Sequence, residues 1–313
     1  MKAILVAAIL LLMLSTATAA AELQPVIVVY AGGTPELGEM LASLIESDVR
    51  LNSQVTIVRS PEEVVLAAMM PATQCIVIYA SHKDYVYGLD SALVPFFQEG
   101  GGLVGITDAC YEPSAGRLAT QVFPVFGNYT SRDLKMGGRR TRTYILEEAS
   151  EVTAGLPDSF QILSMGTHLS ADGNGSYVRM PGNFTVVYRD NVTGCPLLIT
   201  HESGGGGRSV AFPGILLGTA PRVDVYYGNL VLDDNFVRLF TNSLVWAAGN
   251  ARIKRVQQGL AQAIDEYDEE LQQLKDEAET AERSRTTRRT VLLLCLWVAG
   301  LVSSAVVMKK AKL

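Results

Sequence analysis

Four times in its first 106 residues the chain alternates a short β-branched or apolar run with a stretch that reads as a helix, and no other feature constrains the fold as much. Pro25 to Tyr30 (PVIVVY) is a strand that ends in Ala31-Gly32-Gly33. Thr34 then suits a helix N-cap and Pro35 its first position, opening a helix through about Glu46. Val55 to Val58 is a second strand, and Ser60-Pro61-Glu62-Glu63 repeats the cap before Val64 to Met69. Cys75 to Ala80 (CIVIYA) is a third, apolar on both faces as an interior parallel strand should be. A helix over 88–99 and a strand over Leu103 to Ile106 complete the run. Strand and helix in alternation predict βαβ units and an α/β fold, a mostly parallel sheet with helices on both faces.

After Cys110 the pattern loosens. Residues 111–182 hold short candidate strands around Gln121 to Phe126 and Arg142 to Leu146, between loops rich in Gly, Ser, Asn and Arg. Alternation returns with Phe184 to Tyr188, Cys195 to Thr200, the turn Glu202 to Gly207, and Ser209 to Phe212. Asp233-Asp234-Asn235 then caps a helix over Phe236 to Ala248, whose apolar residues recur at helical spacing.

Both ends depart from globular composition. Residues 1–20 carry Lys2, the apolar run Ala3 to Leu14 and the small-residue stretch Ser15 to Ala19, which reads as a secretory signal peptide or, alternatively, an uncleaved anchor. Residues 289–308 form a transmembrane candidate: Val291 to Met308 is uncharged and mostly apolar, reaching about 27 Å as a helix. Lys309, Lys310 and Lys312 fit a cytoplasmic tail over 309–313. The expected protein is therefore single-pass type I, with an ectodomain over 21–249 on the extracellular or luminal face.

Between ectodomain and span, 250–288 turns to Gln, Glu, Asp, Lys and Arg. Val256, Leu260, Ala263, Tyr267, Leu271, Leu274, Ala278 and Ala281 fall near heptad spacing. Two readings stay open: a parallel coiled-coil stalk over 251–287 that self-associates or pairs with another subunit, and a single amphipathic helix resting on the domain.

Sequons at Asn128, Asn174, Asn183 and Asn191 suit an exposed glycosylated face if the host glycosylates asparagine. A net charge of −6, with no clustered basic module, gives no nucleic-acid footprint. Of four cysteines, Cys295 lies in the span, so Cys75, Cys110 and Cys195 allow at most one ectodomain disulfide. No Cys/His cluster calls for a metal, and nothing calls for a cofactor.

The segment Phe96 to Cys110 (FFQEGGGLVGITDAC) is where a doubly wound sheet would present a nucleophile, at a strand end turning into a polar corner. EGGGLVGITDA, EVTAGLPDSFQIL, PLLITHESGGGGRSVAFPG and DDNFVRLFTNSLVWAAG occur in that order. Their order and spacing resemble the trehalose-utilisation (ThuA-like) branch of the class I glutamine amidotransferase-like superfamily over about residues 25–249. A more distant likeness, in layout, is to the amidotransferase-like luminal domain of the oligosaccharyltransferase 48 kDa subunit. The resemblance implies a flavodoxin-like fold. It also implies a nucleophilic Cys after the Gly105-Ile106 strand end and a catalytic His after Ala211-Phe212, but those positions hold Thr107 and Pro213. A thiolate and its activating base are thus both missing.

On the resembled layout Cys195 begins an antiparallel strand at the edge occupied by Cys110. That leaves a Cys110 to Cys195 disulfide, a structural thiol and a nucleophile as alternatives. Asp108 and Glu112 flank the corner as a conceivable carboxylate pair, though Asp108 also suits a helix cap. His82, His168 and His201 sit at strand ends or loops, and the Gly204 to Gly207 run reads as a flexible hairpin tip. The expectation is a non-catalytic amidotransferase-like ectodomain, a binding or assembly subunit of a membrane complex. The alternative is an extracytoplasmic ThuA-like enzyme or carbohydrate-binding protein that uses a pocket of Tyr30, Ser81, Thr107, Asp108, Cys110, Glu112 and Pro213.

Overall fold

The computed structural model describes residues 24–80, 85–110, 117–123, 140–164, 184–192, 194, 196–213, 215, 217, 233–249 and 251–310. They divide into two compact units, Met1–Arg255 and Val256–Leu313.

In the first unit β1 (Val26–Tyr30), α1 (Pro35–Glu46), β2 (Gln54–Val58), α2 (Pro61–Met69), β3 (Thr73–Ala80), α3 (Asp90–Gln98) and β4 (Gly102–Thr107) follow the expected alternation. Local chemistry explains the helix starts. Ser60 accepts from the Glu63 amide at 3.2 Å, while Glu63 accepts from the Arg59 amide at 2.6 Å. Thr34 holds the N-cap position without a side-chain cap bond, so Pro35 does the starting.

One nine-stranded sheet runs β2-β1-β3-β4-β9-β8-β7-β5-β6, where β5 is Arg140–Leu146, β6 Ser159–Ser164, β7 Phe184–Asp190, β8 Pro196–Glu202 and β9 Arg208–Phe212. Its first five strands pair in parallel, in the flavodoxin-like order with β9 as fifth strand. The β8, β7, β5 and β6 pairings are all antiparallel, so the parallel expectation covers only half of the sheet.

Helices cover both faces, as β3, buried along its whole length, requires. On one face α1 and α5 (Asp234–Ala247) pack over Ile27, Val77, Val104 and Phe212. On the other, α2, α3 and the short α4 (Arg117–Gln121) pack over Val28, Ile76, Ile78 and Leu103. Asp233 caps α5 by accepting from the Asn235 and Phe236 amides, both at 3.0 Å. At its other end α5 lies so close to β4 that a Cβ on Gly102 would sit 2.2 Å from the Ala247 carbonyl oxygen.

Two sequence expectations are corrected. Gln121 closes α4 rather than opening a strand, with Val122 and Phe123 buried in the turn after it. The glycine run is no flexible tip: a Cβ on Gly205 or Gly207 would lie 1.8 Å from the Gln98 or Phe97 carbonyl oxygen, so the turn is seated on the end of α3.

The second unit is the body of α6 (Ala251–Lys310), a helix continuous through the expected stalk. Its first turn still belongs to the sheet domain. There Arg252 donates to the Ala68 carbonyl at 3.1 Å, pairs with Glu99 at 3.1 Å and lies 4.6 Å from the Phe96 ring. Among the described residues no helix is long and apolar enough to cross a membrane. Of the expected span, side chains are described only through Trp297.

Candidate functional site

β4 delivers Thr107 to the carboxyl edge of the sheet, and the chain turns at once into a 3-10 turn over Asp108–Cys110. Thr107 has φ +61°, a left-handed conformation that costs a β-branched residue about 1–2 kcal/mol. This sharp strand-to-turn corner is the backbone geometry that lifts a nucleophile out of a sheet. Here the corner carries threonine.

The side chain is committed elsewhere. Thr107 is buried, and its hydroxyl donates to the carbonyl oxygen of Ile215. On the neighbouring strand, the Tyr79 hydroxyl donates to the Leu217 carbonyl at 2.6 Å. Ile215 and Leu217 are themselves buried in the core that α1 and α5 cover. Two hydroxyls from adjacent parallel strands therefore hold the chain after β9 down across the corner.

Register brings Thr107 and Pro213 together. Ile106 pairs with Phe212 on adjacent parallel strands, so Thr107 and Pro213 are the next residues on each. Neither position carries a thiol or an imidazole. Cys110 is fully buried, its sulfur only 2.8 Å from where a Cβ on Gly105 would stand and beside the Phe123 ring. Gly105 exists to admit that sulfur and ring. The Cys110 sulfur is thus closed off from solvent.

Tyr30 does not share this corner. It pairs in register with Ile78, short of the Ala80 to Thr107 level, and lies two strands, about 10 Å, from β4. It packs with α2 and α3, and its phenol is pushed up to about 12 by burial first, then by Tyr85 and Glu62. Above it the Gly32-Gly33 turn is covered by Tyr85, whose hydroxyl would lie 2.2 Å from a Cβ on Gly33. That turn ends β1 at the reversal of strand order between β1 and β3, where this fold class usually leaves a crevice.

Ser81, Glu112, Cys195, His82, His168, Asn128, Asn174 and Asn183 lie outside the described residues, as does the Asp108 side chain. The Cys110 to Cys195 pairing and the carboxylate pair fall there with them. Asn191 is exposed on the turn after β7. His201 is spoken for, its Nδ1 lying 3.1 Å from the Val122 carbonyl and its ring 5.3 Å from that of Phe97. Among the described residues no group of His, Cys, Asp or Glu could hold a metal ion.

A polar cavity of about 540 Å³ along α5 is lined by none of the candidate residues. Its arginines are engaged, Arg50 with Asp48 at 2.5 Å and Asn242 at 2.8 Å, and Arg238 with the Gly155 carbonyl at 2.5 Å. The Arg50 guanidinium holds the Asp48 carboxyl below its ordinary value.

The residues that sequence reasoning missed are Tyr79, Tyr85, Ile215 and Leu217. Only the Gly-Gly pair after β1 could have signalled that something bulky sits on it.

The strain and the hydroxyl bond at Thr107 can be separated. Thr107→Val keeps the shape and the strain but strands the Ile215 carbonyl, and is expected to lose about 1–3 kcal/mol. Thr107→Gly loses the same bond and relieves the strain, so it should be the more stable of the two by about 1 kcal/mol. Urea unfolding of both variants measures the difference; a glycine variant less stable than the valine one would contradict a strained corner.

No family model matches the chain, and no curated protein matches it. Solved structures do. A ThuA-like protein from Parabacteroides merdae superposes with a TM-score of 0.52 at 15% identity, covering 72% of this chain and 91% of that one. A glutamine amidotransferase from Thermotoga maritima gives a TM-score of 0.41 at 12% identity, covering 75% and 99%. One from Methylobacillus flagellatus gives 0.39 at 12% identity, covering 75% and 96%. The structural neighbours are thus a ThuA-like protein and class I glutamine amidotransferase-like proteins, and the likeness is one of fold.

Proposed function

We propose that this chain is a membrane-anchored, non-catalytic amidotransferase-like ectodomain that serves as a binding or assembly subunit of a surface or luminal membrane complex. The observation that carries the reading is the corner itself: Thr107 is buried with its hydroxyl on the Ile215 carbonyl, and Pro213 stands beside it. Activating a hydroxyl needs a base within hydrogen-bond reach, and this hydroxyl is already donating to a main-chain oxygen.

Anchoring is supported by the end of the chain. From Val291 to Trp297 the large apolar side chains of α6 are 54–68% exposed on every side of the helix. A helix apolar all round is at home in hydrocarbon rather than water. Fold persistence without the ancestral chemistry fits a scaffold role, because function resides in the site and not in the fold.

The test uses the full-length chain, assayed for turnover in detergent and, separately, extracted with alkaline carbonate from intact membranes. It is expected to turn over glutamine and simple esters no faster than its Asp108→Ala/Cys110→Ala variant, and to remain in the membrane pellet after alkaline carbonate extraction. Turnover that this variant abolished while its circular dichroism stayed unchanged would overturn the non-catalytic reading. Release into the carbonate supernatant would overturn the anchoring.

A further inference from the structure

Among the described residues, the stalk helix displays an exposed apolar seam. Ile264 is 42% exposed, Tyr267 51% and Leu274 62%, whereas large apolar side chains in the sheet domain are mostly buried. Leu271 is half-buried between them. Following the continuous helix, Ile264, Tyr267, Leu271, Leu274, Ala278 and Ala281 step by three and four without a break. Replacing Ala263 with Ile264 thus turns the irregular seam of the sequence reading into a strict heptad stripe. Isoleucine and leucine alternate with tyrosine and leucine along it, the first at the a positions and the second at d.

We infer that this stripe pairs in parallel and in register with the same helix of a second copy of the chain. β-Branched Ile264 at an a position with Leu274 at d favours two strands. One flanking pair is attractive: Glu270, just before Leu271, faces Lys275 of the second copy, and the contact is repeated by symmetry. Glu277 faces Glu282 of the second copy, so pairing is strongest from Ile264 to Leu274. Arg285 and Arg288 continue the same stripe with cations, which ends the seam at Ala281.

Charge alone does not set the direction, because an antiparallel pair would trade the Glu270 contact for Asp268 against Lys275 and gain a Glu270 to Glu277 repulsion. Direction rests on the anchored reading above. Antiparallel pairing on this seam would bring the folded unit of one copy, which ends at Arg255, level with Thr290 of the other, where the anchor begins. Two copies held in one membrane share their direction, and only the parallel arrangement keeps both folded units at one end.

The experiment is cysteine cross-linking of the full-length chain in membranes, in a Cys295→Ser background, with a short bis-maleimide. Tyr267→Cys and Ala281→Cys are each expected to give a covalent dimer at least tenfold above Glu269→Cys on the outer face. An antiparallel pair would link like positions only near the middle of the seam, so both d-position variants would stay monomeric and the inference would fail. Equal linking at Glu269→Cys would mean random collision and also sink it. Leu271→Ser/Leu274→Ser should abolish linking through Ala281→Cys while leaving the circular dichroism of the sheet domain unchanged. Carbonate extraction of the same samples keeps the two readings apart. A chain retained in the pellet but not linked loses the pairing and keeps the anchor, and a chain linked yet extracted does the reverse.

Discussion

Replacing Asp190 with alanine is expected to lower stability by about 3–5 kcal/mol, the cost of leaving one member of a buried ion pair without its partner. Asp190 ends β7 and Arg142 lies on β5; their charged atoms are 2.6 Å apart, with side chains only 3% and 7% exposed. In water such a pair would contribute little. Here both groups have already lost their hydration, so the attraction offsets a desolvation cost that remains when one partner is removed.

Asp190 has a second task. Its other oxygen accepts from the Val192 amide at 2.9 Å, and its carbonyl accepts from the Gly194 amide at 2.9 Å. It therefore shapes the turn that displays Asn191. The arrangement predicts a rescue: Arg142→Met with Asp190→Leu, which removes both charges and refills the volume, should recover most of the loss. Denaturant unfolding of the single and double variants decides it. A double variant as unstable as Asp190→Ala would mean that the turn contacts, and not the stranded charge, set the cost.

That ion pair lies in the half of the sheet the sequence revealed least. The parallel half was legible because burial on both faces demands unbroken apolar runs, and Val26–Tyr30 and Cys75–Ala80 have them, between helices opened by Pro35 and Ser60. β6 was missed although Phe160 and Ile162 are buried on either side of exposed Gln161. That alternation spans too few residues to stand out after Leu156-Pro157-Asp158, and its partner β5 is distant in meaning until the sheet is assembled.

At the corner, Thr107 and Pro213 could be placed from the sequence because apolar strands fix where β4 and β9 end, and their register follows. What occupies Thr107 could not. Ile215 meets it, and Leu217 meets Tyr79, through hydrogen bonds between residues more than a hundred positions apart, which no local propensity encodes. Tyr85 over Gly32-Gly33 is likewise a contact between the turns after two separate strands.

The glycine run of the β8–β9 turn was misread for a physical reason that carries its own test. Consecutive glycines suit a mobile tip and equally suit a place where two backbones touch, and composition cannot separate the two. The contacts do. Gly204 has open space around its missing side chain, whereas a Cβ on Gly205 or Gly207 would fall 1.8 Å from a carbonyl oxygen at the end of α3. Ser203 fastens the same turn, bonding the Gly207 amide at 2.9 Å, and the Ser203 amide donates to the Gly207 carbonyl at 2.8 Å.

Gly207→Ala must therefore push β9 or α3 aside, since no rotamer moves a main-chain oxygen, and is expected to cost about 3 kcal/mol or more. Gly204→Ala, three residues earlier, should stay within about 0.5 kcal/mol of the parent. β9 is the strand that positions Pro213 beside Thr107, so a displaced β9 should also loosen the Ile215 carbonyl from the Thr107 hydroxyl. Hydrogen exchange would report this as faster exchange in β4 and β9 of Gly207→Ala than in Gly204→Ala. Equal stability of the two variants would return the turn to a mobile tip and remove the seat on α3 from the account of how this edge is held.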